Sequence, residues 1–374
     1  SHAPRKLVRT GAANWTLTTI TFSPEQAAPT SVTTAPQGAS GSTTYAYRVT
    51  AVSDETAEES PVVNTNTTSG NANLTDTNFN RITFTAASGA GSYNIYKEDN
   101  GLYGFIGATE TTTFDDKNIA ADLDDTAPKA RTPFTGSSNY PRAVGLHEQR
   151  SVWGNTTNDP LTVWMSQTSQ FENMNVSSPT RDSDAVTIRL VTGRGNEIRH
   201  FRSFQDRLFI FTSGAVWSLS PGGDVDAITP ASKKLTIEEY LSITDVPPLT
   251  IKSTLLMISG QSNLGFEVHS LGYKFETDAY SGSDLTVLAR HIFEGHTIKE
   301  WAYAERPFRL VAAVRDDGKV LIMTYLKEHQ VFAWSVWEAA DGGTVESICS
   351  IPEGQEDILY FVIKRTINGS DVKY

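Results

Sequence analysis

The histidines and carboxylates are the residues whose types could do chemistry. Seven His stand at 2, 147, 200, 269, 291, 296 and 329, of which His291 and His296 are five apart. A zinc-protease pair needs His at i and i+4 beside a Glu base, so this spacing assigns no metal site. Cys349 is the sole cysteine, so neither an internal disulfide nor a cysteine zinc site can form within the chain. Set between Ile348 and Ser350 in an apolar run, its thiol is expected to be buried and inert. A Gly-x-Ser-x-Gly nucleophile elbow is absent from the sequence, and Gly38-Ala39-Ser40-Gly41-Ser42 lacks the Lys and strand-to-helix context of a phosphate loop. Asp182, Asp184, Glu267 and Asp284 are the carboxylates from which a glycosidase pair could be drawn, but the Ser-x-Asp-x-Gly-x-Thr-Trp box of sialidase-like propellers is missing. The cluster His200-Phe201-Arg202-Ser203-Phe204 has the composition of a stacking platform for single-stranded nucleic acid. Period-two alternation places Phe201 with Ser203 and Arg202 with Phe204 on opposite faces, and packing is the preferred reading. Catalytic, cofactor-binding and metal residues are therefore none, and an enzyme is not expected.

The elements that would position such residues are strands. Short β-branched and aromatic runs bounded by Gly, Asn, Asp and Ser recur throughout the 374 residues. The helix expected is Ser283 to Phe293, capped by Ser283, with Leu285, Leu288 and Ile292 on one face and Gly295 as its stop. No run approaches the roughly 18 consecutive apolar residues of a membrane helix. The chain lacks an initiating Met and begins Ser1-His2-Ala3-Pro4, which reads as an internal fragment. A net charge of −12 argues against a global cationic surface for gripping DNA.

That charge is unevenly placed. Residues 24–134 hold 6 Lys and Arg against 14 Asp and Glu, a net of −8, and the remainder holds 25 against 29, a net of −4. Within this Thr- and Ala-rich stretch, Tyr45 to Val52 alternates with period two, followed by strands at Arg81–Thr85 and Tyr93–Lys97. Tyr47 should lie in the core. The pattern predicts a β-sandwich, with the acidic run Asp115 to Pro133 as its exit linker and its acidity facing outward. The Tyr-x-Tyr-x-Val-x-Ala-Val strand and Gly91-Ser92-Tyr93-Asn94-Ile95-Tyr96 resemble fibronectin type III or immunoglobulin-like modules, a likeness of fold that says little about function.

After Phe134 five hairpin-like units recur. Arg150, Arg207, Thr254, Arg309 and Ile358 mark equivalent points, spaced by 57, 47, 55 and 49 residues. The turns fall at Asn155–Pro160, Ser213-Gly214, Gly260–Asn263, Asp316-Asp317-Gly318 and Asn368-Gly369. A period near 50 built of hairpins predicts propeller blades, since one blade cannot bury both faces alone. Trp153, Phe209, Met257, Val311 and Tyr360 should then occupy equivalent strands around a circle. The fold expected is all-β, with three parts. Residues 1–23, a hairpin of Arg5–Val8 and Trp15–Leu17, supply the first strands of a propeller-like domain. Residues 24–134 form the inserted sandwich, and 135–374 the rest of the propeller-like domain.

These residues also carry a family likeness. Tyr140-Pro141-Arg142-Ala143-Val144-Gly145, Gln149 to Gly154, Trp164 to Asn173, Phe209 to Trp217, Gly282 to Thr286 with Gly295-His296, Thr324 to Glu328 with Ala333-Trp334, and Lys364 to Ile367 resemble the tail nozzle (tail tubular protein B-like) proteins of short-tailed bacteriophages. Pro4 to Arg9 and Trp15 to Leu17 fit the same family, well inside its chains. The likeness spans 1–23 and 135–374, and the stretch between looks like an inserted module. It implies a virion tail component made in the bacterial host cytoplasm, a homo-oligomer of usually six copies around a DNA ejection channel. Its implied partners are adaptor and tail-tube proteins and tail fibres, with DNA passing without specific binding. The family lends no catalytic residues. The rival non-enzyme reading is a carbohydrate- or receptor-binding adhesin, which exposed aromatics such as Tyr103 and Phe105 on the sandwich would favour.

Overall fold

A computed structural model describes residues 2–136, 138–191, 196–223, 225–261, 265–274 and 279–374. The chain is all-β, with antiparallel sheets and only single turns of 3-10 helix among those residues. Among the described residues no helix is long and apolar enough to cross a membrane. It divides into two compact units, residues 1–191 with 221–234, and residues 192–220 with 235–374.

In the first unit, strands Thr30–Gln37, Phe79–Thr85 and Thr113–Asp116 form one sheet, and Val63–Gly70, Thr43–Ser53, Ala90–Asp99 and Leu102–Thr109, in that spatial order, form another. The two sheets enclose Tyr47, Val49, Ala51, Ile82, Phe84, Tyr93, Ile95 and Ile106. The alternation seen in the sequence thus reaches its expected end, with Tyr47 fully buried. Two expectations fail here. Asp115 and Asp116 are not linker, because Thr113–Asp116 is a sandwich strand paired with Phe79–Thr85. Nor does all of the acidity face outward: Glu58, Glu59 and Asp116 are buried. Each is held by donors, as buried carboxylates must be. The Tyr47 hydroxyl donates to Asp116 Oδ2 at 2.7 Å and accepts from Asn80 Nδ2 at 2.9 Å, while Lys97 Nζ lies 2.8 Å from Asp116. Tyr96 and Thr50 hydroxyls both donate to Glu59 Oε1 at 2.6 Å. Burial and then the neighbouring carboxylates push the Tyr47 and Tyr96 phenols far up.

The sandwich is tied into the first unit at both ends. Phe22 and Phe134, which flank it in sequence, meet edge-on with ring centroids 4.7 Å apart. They pack with Trp153 and Trp164 of the next sheet and with Met174 from its loop. Glu58 accepts from the Glu25 and Gln26 amides and from Asn173 Nδ2. The opening hairpin, Arg5–Arg9 with Trp15–Thr19, pairs with no other strand among the described residues and is exposed along its whole length. Its segment reaches the core only through Phe22, with Ile20 packed beside it.

Five sheets then repeat. Four have four strands in near chain order, and the last has three. Trp153, Phe209, Met257, Val311 and Tyr360 lie on strands Arg150–Gly154, Arg207–Thr212, Thr254–Gln261, Leu310–Arg315 and Glu356–Ile367, each the second strand of its sheet. Of the expected Gly260–Asn263 turn, Ser262 and Asn263 lie outside the described residues. At Asn368-Gly369 both residues have positive φ, 51° and 77°, as a two-residue hairpin turn requires.

In the second unit the sheets stack through alternate residues of single strands. Leu255 and Met257 share a core with Phe209 and Phe211. Leu256 and Ile258, on the other face of the same strand, share a core with Val311, Ala313, Leu321 and Met323. Ala312, Val314, Val320 and Ile322 in turn meet Val345 and Ile348, with Leu359, Phe361 and Ile363 against them. Fully burying a side chain of this size contributes about 1.5–3 kcal/mol, so strands buried on both faces dominate this unit's stability.

The expected helix over 283–293 is overturned. Ser283 and Asp284 belong to strand Ala279–Asp284, paired with Ser270 and His269, and a single 3-10 turn, Arg290–Ile292, follows. Sheet pairing outcompetes the helical spacing. Asp284 accepts from the Thr286 amide and hydroxyl and turns the chain there, leaving Leu288 96% exposed.

Candidate functional site

The residues singled out for chemistry are mostly structural in this fold. Asp184 is buried with four donors on its carboxylate: Gln167 Nε2 at 3.3 Å, the Ser177 hydroxyl at 2.8 Å, and the Ser177 and Arg181 amides at 3.0 and 2.8 Å. Asp182 is exposed and contributes its carbonyl to Arg150. That arginine is 2% exposed and donates to the carbonyls of Ser166, Asp184 and Asp182 at 2.6, 2.6 and 2.8 Å, and more weakly to Ser183 at 3.4 Å. Burial lowers its pKa against the raising charges of Glu148 and Asp184. Arg150 is thus a clamp on the loop that carries Asp182 and Asp184.

Glu267 and Asp284 do come together, but around a cation. Arg290 Nη2 lies 2.9 Å from Glu267 Oε1 and 3.6 Å from Asp284 Oδ2, and His269 Nε2 lies 3.2 Å from Glu267. Burial opposes ionisation of Asp284, yet Thr286, His269 and Arg290 hold its pKa below the usual range. Arg290 engages both carboxylates, and Asp284, held low, is not the raised-pKa acid that glycoside hydrolysis requires.

His291 is exposed on the 3-10 turn, whereas His296 joins Asp316 and Asp317, a group with ligand atoms within 4.8 Å of one another. Sequence spacing missed this cluster because it is assembled across a strand pair. Its oxygens are already engaged. Asp316 takes His296 Nδ1 at 2.9 Å and the Thr297 amide and hydroxyl at 3.1 Å, while Asp317 is held in a fork by Arg315. Against the opposing effect of burial, these contacts keep Asp316 low; the Arg315 fork brings Asp317 to about 2. The cluster fixes the turn at Gly318, where φ is +82° and a Cβ would sit 2.5 Å from Thr344 Cβ.

Gly38 likewise serves a turn. Its φ is +81° and a Cβ would lie 2.2 Å from the Thr77 carbonyl, while the Ala39 amide donates to Asn78 Oδ1. In the His200–Phe204 cluster, Phe201 and Phe204 are buried, His200 Nε2 lies 3.2 Å from the Thr244 carbonyl and Arg202 Nε donates to Pro248 O. Burial lowers the His200 pKa. Its aromatics are unavailable for stacking on bases. Tyr103 and Phe105 are half-buried, Tyr103 beneath the Arg48 guanidinium at 3.8 Å and Phe105 against Tyr96 at 5.8 Å.

Cys349 corrects its expectation: it is exposed. It lies opposite Tyr360 in the last sheet. Ile348 and Phe361 point into the preceding core, and the opposite face carries Cys349, Ile351, Tyr360 and Val362. Ile351, Tyr360 and Val362 are 45%, 44% and 41% exposed. An apolar run signals burial only when a further sheet covers the second face. This outer face of the last sheet is the candidate assembly surface. Comparison with protein-family models and with curated proteins gives no match.

Proposed function

We propose that the chain is a structural component of a short-tailed phage tail, a nozzle or hub element whose stacked sheets form part of the wall of a DNA ejection channel. The observation that carries it is the stack itself: consecutive hairpin sheets joined by alternate residues, with exposed apolar Ile351, Tyr360 and Val362 on the outer face of one of them. Propeller-like closure, a homo-oligomer of six copies, docking of adaptor and fibre proteins and a virion location follow from the family likeness of the quoted segments. The sandwich is read as a fibronectin III-like insertion, supported by the meeting of Phe22 and Phe134. The structural role, rather than an enzymatic one, is supported by the commitment of the Asp184, Glu267 and Asp284 carboxylates to donors and ion pairs. The half-burial of Tyr103 and Phe105 weighs against the adhesin alternative.

Electron microscopy of the intact assembly containing the full-length protein tests the proposal. A closed ring of protomers around a channel is expected, with the outer face of the last sheet covered. A monomer that turns over a bacterial glycan would overturn it. So would tight duplex binding at about 0.15 M salt that falls steeply as salt rises, because a passive channel should not grip phosphates.

A further inference from the structure

Strand ends and loops of two neighbouring sheets in the second unit line an open hollow of about 350 Å³. Ile251, Tyr303 and Tyr325 give it apolar and aromatic walls, and Lys252, Arg309 and Lys327 bring three cations to it, with Glu328 as its one carboxylate. Glu328 lies 3.0 Å from Arg309 and 3.6 Å from Lys252. Lys327 Nζ donates to the Thr254 hydroxyl at 2.6 Å and has no carboxylate partner among the described residues. A net positive hollow is unusual on a chain of net charge −12.

Two further features bear on its walls. Lys252 and Arg309 both adopt left-handed backbone, with φ of 50° and 52°. Gly or Asn fits such positions with less strain, so a cation at each sacrifices local stability. An exposed pairing with Glu328 is too weak a reason to keep both. Gln149 and Gln205 take the same conformation at the equivalent turn of the preceding sheets, so the turn belongs to the repeat, and what is particular here is that two cations occupy it side by side. In addition, the Tyr303 hydroxyl is shut off from solvent and makes no hydrogen bond among the described residues. Burial and then the Glu305 carboxylate push its pKa up, and Arg309 opposes them.

We propose that this cavity binds a sugar-sized molecule carrying a carboxylate or a phosphate. The anionic group replaces Glu328 as the partner of Arg309 and Lys252 and gains Lys327, and the body of the ligand lies against Tyr303 and Tyr325. The volume suits one small ring, and the mixture of aromatic wall and convergent cations suits an acidic one. The assignment is independent of the role in a phage tail.

Calorimetric titration of the purified chain with glucuronate, glucose 6-phosphate, inorganic phosphate and glucose, at matched ionic strength, tests it. At least one charged sugar should bind, and more tightly than both glucose and inorganic phosphate. Which of the two binds better identifies the carboxylate or the phosphate as the recognised group. The double variant Lys252→Gly with Arg309→Gly should melt no lower than the parent, because glycine relieves the backbone, while its Kd for that sugar rises at least about tenfold. Absence of binding by either charged sugar at about 10 mM, far weaker than a millimolar site, would overturn the proposal. Equal binding of glucose or inorganic phosphate, or parental affinity in the folded double variant, would do the same.

Discussion

Strand Thr43–Ser53 of the sandwich and strand Thr254–Gln261 of the stack are both central, and they use the same two-residue period differently. The first sends Tyr47, Val49 and Ala51 into a single core. The second sends Leu255 and Met257 one way and Leu256 and Ile258 the other, into two cores. The polar groups divide in the same way. The first unit buries Glu58, Glu59, Asp116 and Asp184 on networks of donors, whereas Arg315 is the one charged residue buried in the second unit among those described. A strand with one buried face can anchor a polar network at its edge. A strand buried on both faces leaves room chiefly for apolar packing, with polar residues such as Thr254 and Ser259 towards its ends, and its stability is set by its neighbours on each side.

Substitution at equivalent positions tests that difference with the largest expected effects. Phe209→Ala should cost about 3–5 kcal/mol and Met257→Ala about 2–5, since both are fully buried between sheets. Tyr360→Ala, at the same place in the last sheet, should cost under about 0.5. Chemical denaturation measures each, and equal costs at all three would break the stack. In the sandwich, Tyr47→Ala should fall in the upper range, about 3–5 kcal/mol, because it removes packing and deprives Asp116 and Asn80 of a partner.

Next is the clamp. Arg150→Met keeps volume but leaves several buried carbonyls without a donor, so a loss of about 3 kcal/mol is expected, read from the unfolding midpoint. A loss below about 1 kcal/mol would mean the loop at 182–184 rearranges to find other donors. Tyr47→Phe isolates the hydroxyl within the sandwich. It should cost about 1–3 kcal/mol, leaving Asp116 to Lys97 and local amides.

The repeat was legible in the sequence because each hairpin announces itself by an apolar strand, a turn and a second strand, and the five marker residues do lie on second strands. Burial at the end of the stack was not legible. Cys349 and Tyr360 sit in runs like those of Phe209 and Met257, yet no sheet among the described residues covers their face. The helix over 283–293 was misread because periodicity ignores the partner strand that captures Ser283 and Asp284. The cationic cavity was invisible for a similar reason: Lys252, Arg309 and Lys327 are far apart in sequence and meet only where two sheets end side by side.

Acid separates the two regions by a smaller margin. Asp317 has its pKa lowered from 3.8 to about 2, chiefly by the Arg315 fork. A depressed folded pKa means its contribution is complete above about pH 4 and is lost as pH falls through 2. Partial exposure reduces the full linkage value to about 1 kcal/mol. Asp317→Asn should therefore lower stability at pH 6 by about that amount and flatten the decline between pH 4 and 2. An unchanged acid limb in the variant would show that the fork adds nothing to folding.

The smallest expected effect on stability carries the most about assembly. Cys349→Ser should change the unfolding free energy by under about 0.5 kcal/mol, because the side chain is exposed. The same exposure makes Cys349 a reporter for the outer face of the last sheet, where Ile351, Tyr360 and Val362 surround it with apolar surface. In the isolated chain a thiol reagent should modify it at close to the rate of a free thiol. If that face is covered when copies or partners join, labelling in the assembled particle should slow at least about tenfold, as local opening becomes the route to the sulfur. Tyr360→Asp should then weaken assembly while leaving the isolated chain folded, since it places a charge in a contact but not in a core. Equal labelling rates in the free chain and the particle would remove the last sheet from any interface and leave its apolar face without a role in the ring.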